Sequence, residues 1–149
     1  MKEKEELFFE LNINGDSITM IPLKIINYNS ELSWDNNWIK TQIIIKVGGF
    51  KGDYTGEFMV SDFLRFRDEL KVLYTNLDSS AKFSGYEGYL EIDIKGDGTG
   101  HLNAACVAVE RSATLFGSEL KFELAFDQTY IPGFIKQLDD IANRFPVIK

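Results

Sequence analysis

The chain is predicted to be an α+β protein, a large twisted antiparallel sheet (partial sandwich or open barrel) of about eight strands with two covering helices near residues 61–77 and 130–145. Three observations predict it. Most of the sequence alternates apolar and polar residues with period two. The alternating runs are joined by short turns rich in Gly, Asn and Asp, which suit antiparallel pairing because parallel strands need a long crossover. Only two stretches switch to a repeat of three to four residues. With 149 residues and no sequence repeat, low-complexity segment or linker, a single domain over 1–149 is expected.

Leu7, Phe9, Leu11 and Ile13 share one face of a first strand, and Asn14-Gly15-Asp16-Ser17 is a hairpin signal of the Asn-Gly type. Ile18 to Ile26 reads as the return strand, where Pro22, lacking an N–H, demands an edge or a bulge. Asn27 to Asn37 is a polar loop. From Trp38 to Val47, Ile39, Ile43, Ile45 and Val47 fall on one face and Lys40, Gln42 and Lys46 on the other, as in a strand. The run "GGFKGDYTG", Gly48 to Gly56, lacks the Gly-Lys-Ser/Thr ending of a P-loop and the Gly-x-Gly-x-x-Gly spacing, so it reads as a glycine-rich turn. Tyr54 to Val60 alternates again.

Ser61 or Asp62 then caps a helix whose Phe63, Phe66, Leu70, Leu73 and Leu77 form an apolar stripe. Such a stripe is read as core packing. Four further strands are expected over Ala81 to Ser84, Gly88 to Lys95, His101 to Arg111 and Ser118 to Phe126. In the last, Leu120, Phe122, Leu124 and Phe126 point inward. Thr129 can cap the closing helix, and Pro132 sits in a first turn that needs no internal N–H donor.

The stretch "DIKGDGTGHLN", Asp93 to Asn103, resembles a calcium loop only at first sight. Counting from Asp93, position three is Lys95 and position twelve is Ala104, so a cation replaces one ligand and the bidentate glutamate is missing. A hairpin turn is expected there, and no metal. His101 and Cys106, the only histidine and the only thiol, are an odd number of residues apart on one strand and therefore face opposite ways, which argues against a cooperating pair. Asp139 and Asp140 diverge around the last helix as surface charge. Asp127, directly before that helix, is placed to cap its N–H groups. No catalytic residue and no cofactor are expected.

The net charge of −7 argues against a nucleic-acid surface, which requires clustered Lys or Arg, and against anionic membranes. It suits a basic partner attracted over distance. One cysteine excludes an internal disulfide and points to a reducing compartment, and the mixed charges of Met1 to Glu6 resemble neither a secretory leader nor an anchor. A cytoplasmic protein is expected.

The runs "NNWIKTQIIIKVGGFKGDYTGEFMVSDFLRFRDELKVLY", "GYLEIDIKGDGTGHLNAACV" and "LKFELAFDQTYIPGFIKQLDDI" carry a tryptophan leading a strand, a Gly-Phe-x-Gly turn, a strand running into a Phe/Leu helix, a Gly-His strand start, and Asp-Gln-Thr before the last helix. In this order they resemble the WapI-like immunity proteins of bacteria, over roughly residues 35–145. The resemblance implies a non-enzymatic cytosolic antidote that binds the toxic C-terminal domain of a contact-dependent polymorphic toxin, typically a basic nuclease, and occludes its active site. The candidate contact surface is the acidic and aromatic loop side around Trp34, Asp35, Asp53, Tyr54, Glu87, Asp97 and Asp127. An alternative expectation is a small-molecule-binding or enzymatic α+β barrel, with a closed apolar pocket lined by the phenylalanines and gated by Gly48 to Gly56.

Overall fold

The computed structural model describes residues 7–26, 37–111 and 117–147. The chain runs β1 (Phe9–Ile13), β2 (Asp16–Ile26), β3 (Trp38–Val47), β4 (Phe50–Met59), α1 (Val60–Thr75), β5 (Ser80–Phe83), β6 (Leu90–Gly96), β7 (His101–Glu110), β8 (Ser118–Asp127), a 3₁₀ turn (Gln128–Tyr130) and α2 (Ile131–Arg144). It is an α+β fold in which the eight strands divide into two antiparallel four-stranded sheets, ordered β1-β2-β3-β4 and β5-β6-β7-β8. The sequence shows no repeat, yet the architecture does: four meandering strands followed by a helix occur twice. Period-two patterning leaves the choice of side chain free at each inward position, so two units can share a topology without sharing residues.

Local chemistry explains the elements. Asn14 (φ 53°) and Gly15 (φ 96°) take the two positive-φ positions of a tight hairpin, closing the Ile13↔Asp16 pair. At Pro22 the β2–β3 register shifts before Lys24, a bulge that accommodates the missing N–H in a central strand and leaves Leu23 exposed. The turn between β3 and β4 is only Gly48-Gly49, with Val47 paired to Phe50. The glycine-rich stretch read as a turn is therefore mostly strand: Gly52 and Gly56 sit inside β4. Gly56 is a packing glycine, because a Cβ there would lie 2.7 Å from Tyr89 Cγ.

Helix α1 ends at Thr75, two residues short of the expected end at Leu77. Leu77 lies half-buried beyond the helix, its carbonyl accepting from Gly98 N–H at 3.0 Å. At the other end Asp62, not Ser61, closes the helix, reaching back to Met59 N–H at 2.9 Å. Arg65 donates both to Asp62 Oδ1 and to the Ser84 carbonyl, each at 3.1 Å, which ties the helix to the segment after β5. Burial pushes the Asp62 carboxyl above the usual carboxylate range, opposed by the Met59 N–H and by Arg65.

The phenylalanines join the two units. Phe58 meets Phe63 and Phe83, Phe83 meets Phe66, Phe66 meets Phe9, Phe9 meets Phe134, and Phe134 meets Phe126, with ring centroids between 5.1 and 6.1 Å apart. The helices pack on each other, α1 against β5 and α2 against β1. Arg67 bridges them to Asp139 at 3.3 Å, so Asp139 is an interhelical partner and not only surface charge.

Each helix also covers the first strand of the opposite unit by the same device. Gln137 Oε1 of α2 accepts from Glu10 N–H of β1 at 2.9 Å, and Glu69 Oε1 of α1 accepts from Lys82 N–H of β5 at 3.1 Å. Two sheet edges are thereby blunted against pairing with another chain. The other two edge strands, β4 and β8, are treated differently.

Candidate partner-binding groove

Strand β4 leaves the core as it runs backward toward its start. Phe58 and Gly56 are buried, Tyr54 and Gly52 half-buried, and Phe50 is 67% exposed, all on one face. Opposite them, the inward face of the second sheet ends in Ala108 and Glu110 of β7 and Leu120 of β8. The two sheets diverge at this point and leave an open groove of about 970 Å³, floored by Ile45, Tyr54, Ala108 and Leu120 and flanked by Asp53, Glu110 and Glu119 against Lys51 and Arg111.

The groove has a firm frame. Tyr54 Oη donates to the Tyr89 carbonyl at 2.6 Å, and the same carbonyl accepts from Val109 N–H at 3.0 Å. Burial raises the Tyr54 phenol well above its ordinary range; the Val109 N–H opposes this and the Glu110 carboxylate adds to it, so Tyr54 is a neutral donor at physiological pH. Arg111 lies 5.5 Å from the Tyr89 ring centroid and donates to the Glu87 carbonyl, which holds the segment before β6 against the end of β7. Asp53 accepts from Gln42 Nε2 at 3.0 Å on the outer face of β4.

Of the seven surface residues expected from the sequence, Asp53 and Tyr54 line this groove, and Glu87 touches it only through its carbonyl, which accepts from the groove residue Arg111. Asp97 and Asp127 do not join them. They flank the far end of the second sheet, where His101 pairs with Asp127 and its Nδ1 lies 3.5 Å from Asp97 Oδ2. That end is separated from Glu87 by the length of β6, seven residues or roughly 20 Å. Trp34 and Asp35 lie outside the described residues.

Both distal carboxylates hold local structure. Asp97 accepts from Thr99 N–H at 2.8 Å and from His101 N–H at 3.3 Å, forming the turn expected in the Gly-rich stretch before β7. Asp127 accepts from Thr129 N–H at 2.9 Å and opens the 3₁₀ turn into α2, the capping role its position implied. Hydrogen bonds from the Thr99 and Thr129 hydroxyls, and then those from the backbone N–H groups, hold the Asp97 and Asp127 carboxyls below the usual range.

The residues with catalytic potential are turned elsewhere. Cys106 is buried in β7, its thiol pushed up to about 12 by burial, while His101 projects from the opposite face of the strand. Among the described residues no three His, Cys, Asp or Glu side chains gather as metal ligands. Trp38 is buried at the end of the core beneath the exposed Tyr86, with ring centroids 6.4 Å apart. The ligand-barrel alternative called for a closed pocket lined by phenylalanines. Instead Phe9, Phe58, Phe63, Phe66 and Phe83 are buried in the core, the groove is open, and among the described phenylalanines Phe50 alone lines it.

Sequence reasoning missed Gly52, Phe50, Glu110, Arg111 and Glu119. The signal for the first two was present, since Phe50, Gly52, Tyr54, Gly56 and Phe58 keep strict alternation, but the glycines within it read as a loop.

The site is an open, amphipathic groove between the ends of two four-stranded sheets, with Cys106 buried in β7 and His101 exposed at the far end of that strand. The model of the Immunity protein WapI-like family matches residues 6–146, and the chain belongs to that family. Among curated proteins none matches. Similar solved structures include MRP1/MRP2 of Trypanosoma bruciei (TM-score 0.48, 8% identity, covering 95% of this chain and 89% of that one). They also include the plant transcriptional regulator PBF-2 (TM-score 0.47, 11% identity, 99% and 84%) and WHY1 from Arabidopsis thaliana (TM-score 0.47, 9% identity, 99% and 88%). No helix among the described residues is long and apolar enough to cross a membrane.

Proposed function

We propose that this chain is a cytoplasmic immunity protein that binds the C-terminal toxin domain of a polymorphic contact-dependent toxin, a basic nuclease, and neutralises it by occluding the active site, without catalysis of its own. The observation that carries this reading is the family match over residues 6–146, nearly the whole chain. The charge of −7 supports the nature of the partner. A nuclease must hold phosphates and so presents cations, which an acidic inhibitor attracts over distance and meets with carboxylates.

The contact surface we assign is the groove face, around Asp53, Tyr54 and the Glu87 segment, where acids and exposed aromatic surface lie together. Asp97 and Asp127 hold turns at the other end of the sheet and serve as controls.

The test is calorimetric titration with the purified C-terminal domain of the large secreted protein encoded immediately upstream, at two salt concentrations. One-to-one binding that weakens with salt is expected, together with loss of the domain's nuclease activity at equimolar ratio. Asp53→Lys should weaken binding and flatten its salt dependence, while Asp127→Lys should leave both unchanged. Absence of binding at both salts would overturn the immunity reading.

A further inference from the structure

Gly52 has no reason within its own chain to be glycine. Its φ lies outside the positive range that the turn glycines occupy. Unlike Gly56, it is not required by packing: a Cβ there would meet Ile45 Cβ at 3.7 Å and the Tyr54 ring at 3.8 Å, ordinary contact distances. A strand glycine without a local cause marks a place where another backbone comes close.

The edge of β4 beside Gly52 is open. The closing pair of a two-residue hairpin exchanges hydrogen bonds, so Phe50, opposite Val47, turns its main-chain groups toward β3. Alternation then points the N–H and C=O groups of Lys51, Asp53 and Thr55 away from β3, and among the described residues β4 pairs with β3 alone. Gln137 and Glu69, by contrast, occupy main-chain donors of β1 and β5. A free edge of this kind recruits an extended segment by adding a strand.

The residues of this edge complement themselves. Lys51 faces Lys46 across the β3–β4 ladder, a like-charge pair, and takes no carboxylate partner among the described residues. Asp53 receives one neutral hydrogen bond, from Gln42 to Oδ1, which leaves its charge unpaired. Laid antiparallel about a two-fold axis through Gly52, two β4 strands set Lys51 of each copy opposite Asp53 of the other. These positions point their main-chain groups outward, so both pairs exchange hydrogen bonds. On the inward face the 67% exposed Phe50 comes opposite Tyr54 of the second copy, at the groove. Gly52 meets its counterpart on the axis, a non-hydrogen-bonded position where opposed Cα atoms approach to about 4.5 Å, and the flanking rings cover the gap.

We infer that the occupant of this edge is a second copy of the chain, and that two β4 strands pair about Gly52 to join their sheets into one. An overlap confined to the start of β4 is small beside the ~1,600 Å² of a standard interface, so the dimer is weak and forms at about 10–100 μM. Asp53 also belongs to the toxin contact assigned above. Self-pairing and toxin binding therefore exclude each other, and the one-to-one complex forms from the monomer.

The experiment is sedimentation velocity of the full chain from about 1 μM to about 1 mM. A monomer–dimer equilibrium is expected, with Lys51→Asp and Asp53→Lys each weakening it by about tenfold or more, because each sets like charges opposite one another. An equimolar mixture of the two variants should dimerise again, since one chain then offers two carboxylates opposite the two lysines of the other. Gly52→Cys, whose Cβ fits, should form a disulfide-linked dimer on mild oxidation, and Thr55→Cys, far from the axis, should not, the native Cys106 being buried. A monomer across the whole range, self-association undiminished in both charge variants, a mixture that stays monomeric, or a dimer that Gly52→Cys fails to trap would overturn the inference. Added toxin domain should dissolve the dimer. A toxin complex that retains it would move the toxin contact off β4 and leave the self-pairing standing.

Discussion

The Tyr54 hydroxyl and the Tyr89 carbonyl, 2.6 Å apart, tie the edge strand of one sheet to the segment that enters the other. Because Val109 N–H also donates to this carbonyl, removing the hydroxyl leaves no orphaned acceptor. Tyr54→Phe should therefore cost only about 1 kcal/mol in denaturant unfolding. The phenol titrates above its ordinary range when folded, so the folded state holds its proton longer than the unfolded chain does. Stability from this group is full below about pH 10 and is lost as pH rises past it. The alkaline decline of stability should be shallower in Tyr54→Phe than in the native protein; an unchanged slope would contradict the assignment.

Asp62 has the opposite environment from a solvated cap. Its folded carboxyl is raised chiefly by burial, so the folded state binds the proton more tightly and stability falls as pH climbs from the ordinary carboxylate range through the raised value. Asp62→Asn keeps an acceptor for Met59 N–H and should abolish this downward limb. Asp62→Ala removes the acceptor and frees Arg65, at a cost of about 2 kcal/mol. Unfolding measured across the acid range should show the limb lost in both variants, with Asp62→Ala less stable than Asp62→Asn at every pH.

Gly96 and Gly52 make a matched pair of strand glycines with opposite constraints. A Cβ at Gly96 would run into the Leu77 carbonyl oxygen, which is held in place by Gly98 N–H. Gly96→Ala should destabilise by about 3 kcal/mol, because backbone cannot yield as a side chain can. Gly52→Ala should be neutral or stabilise by about 0.5 kcal/mol. Thermal melts of the two single variants decide this, and comparable losses in both would remove the case for Gly52 as an open position.

Cys106, 2% exposed and with its thiol pushed up to about 12, should be inert to disulfide reagents in the folded protein. Modification should follow global unfolding, so its rate should rise with denaturant in parallel with the unfolded fraction. Rapid labelling without denaturant would show that β7 opens locally.

The sequence by itself determined the local layer of this protein. Period-two runs, the Asn14-Gly15 turn, the Pro22 bulge, the apolar stripe of α1 and the Asp127 cap are all encoded within a few residues, where sterics and hydrogen bonding act without reference to the rest of the chain. Family membership was readable for the same reason, as an ordered series of such local signals. Tertiary structure alone decided that eight strands form two sheets, that the phenylalanine rings join them, and that Asp62 is a buried charge. It also separated Asp97 and Asp127 from Asp53 and Tyr54, and it brought the start of β4 and the ends of β7 and β8 to one groove. Such proximities depend on how two sheets diverge at their ends. No short-range preference specifies that, because it arises from packing between residues distant along the chain.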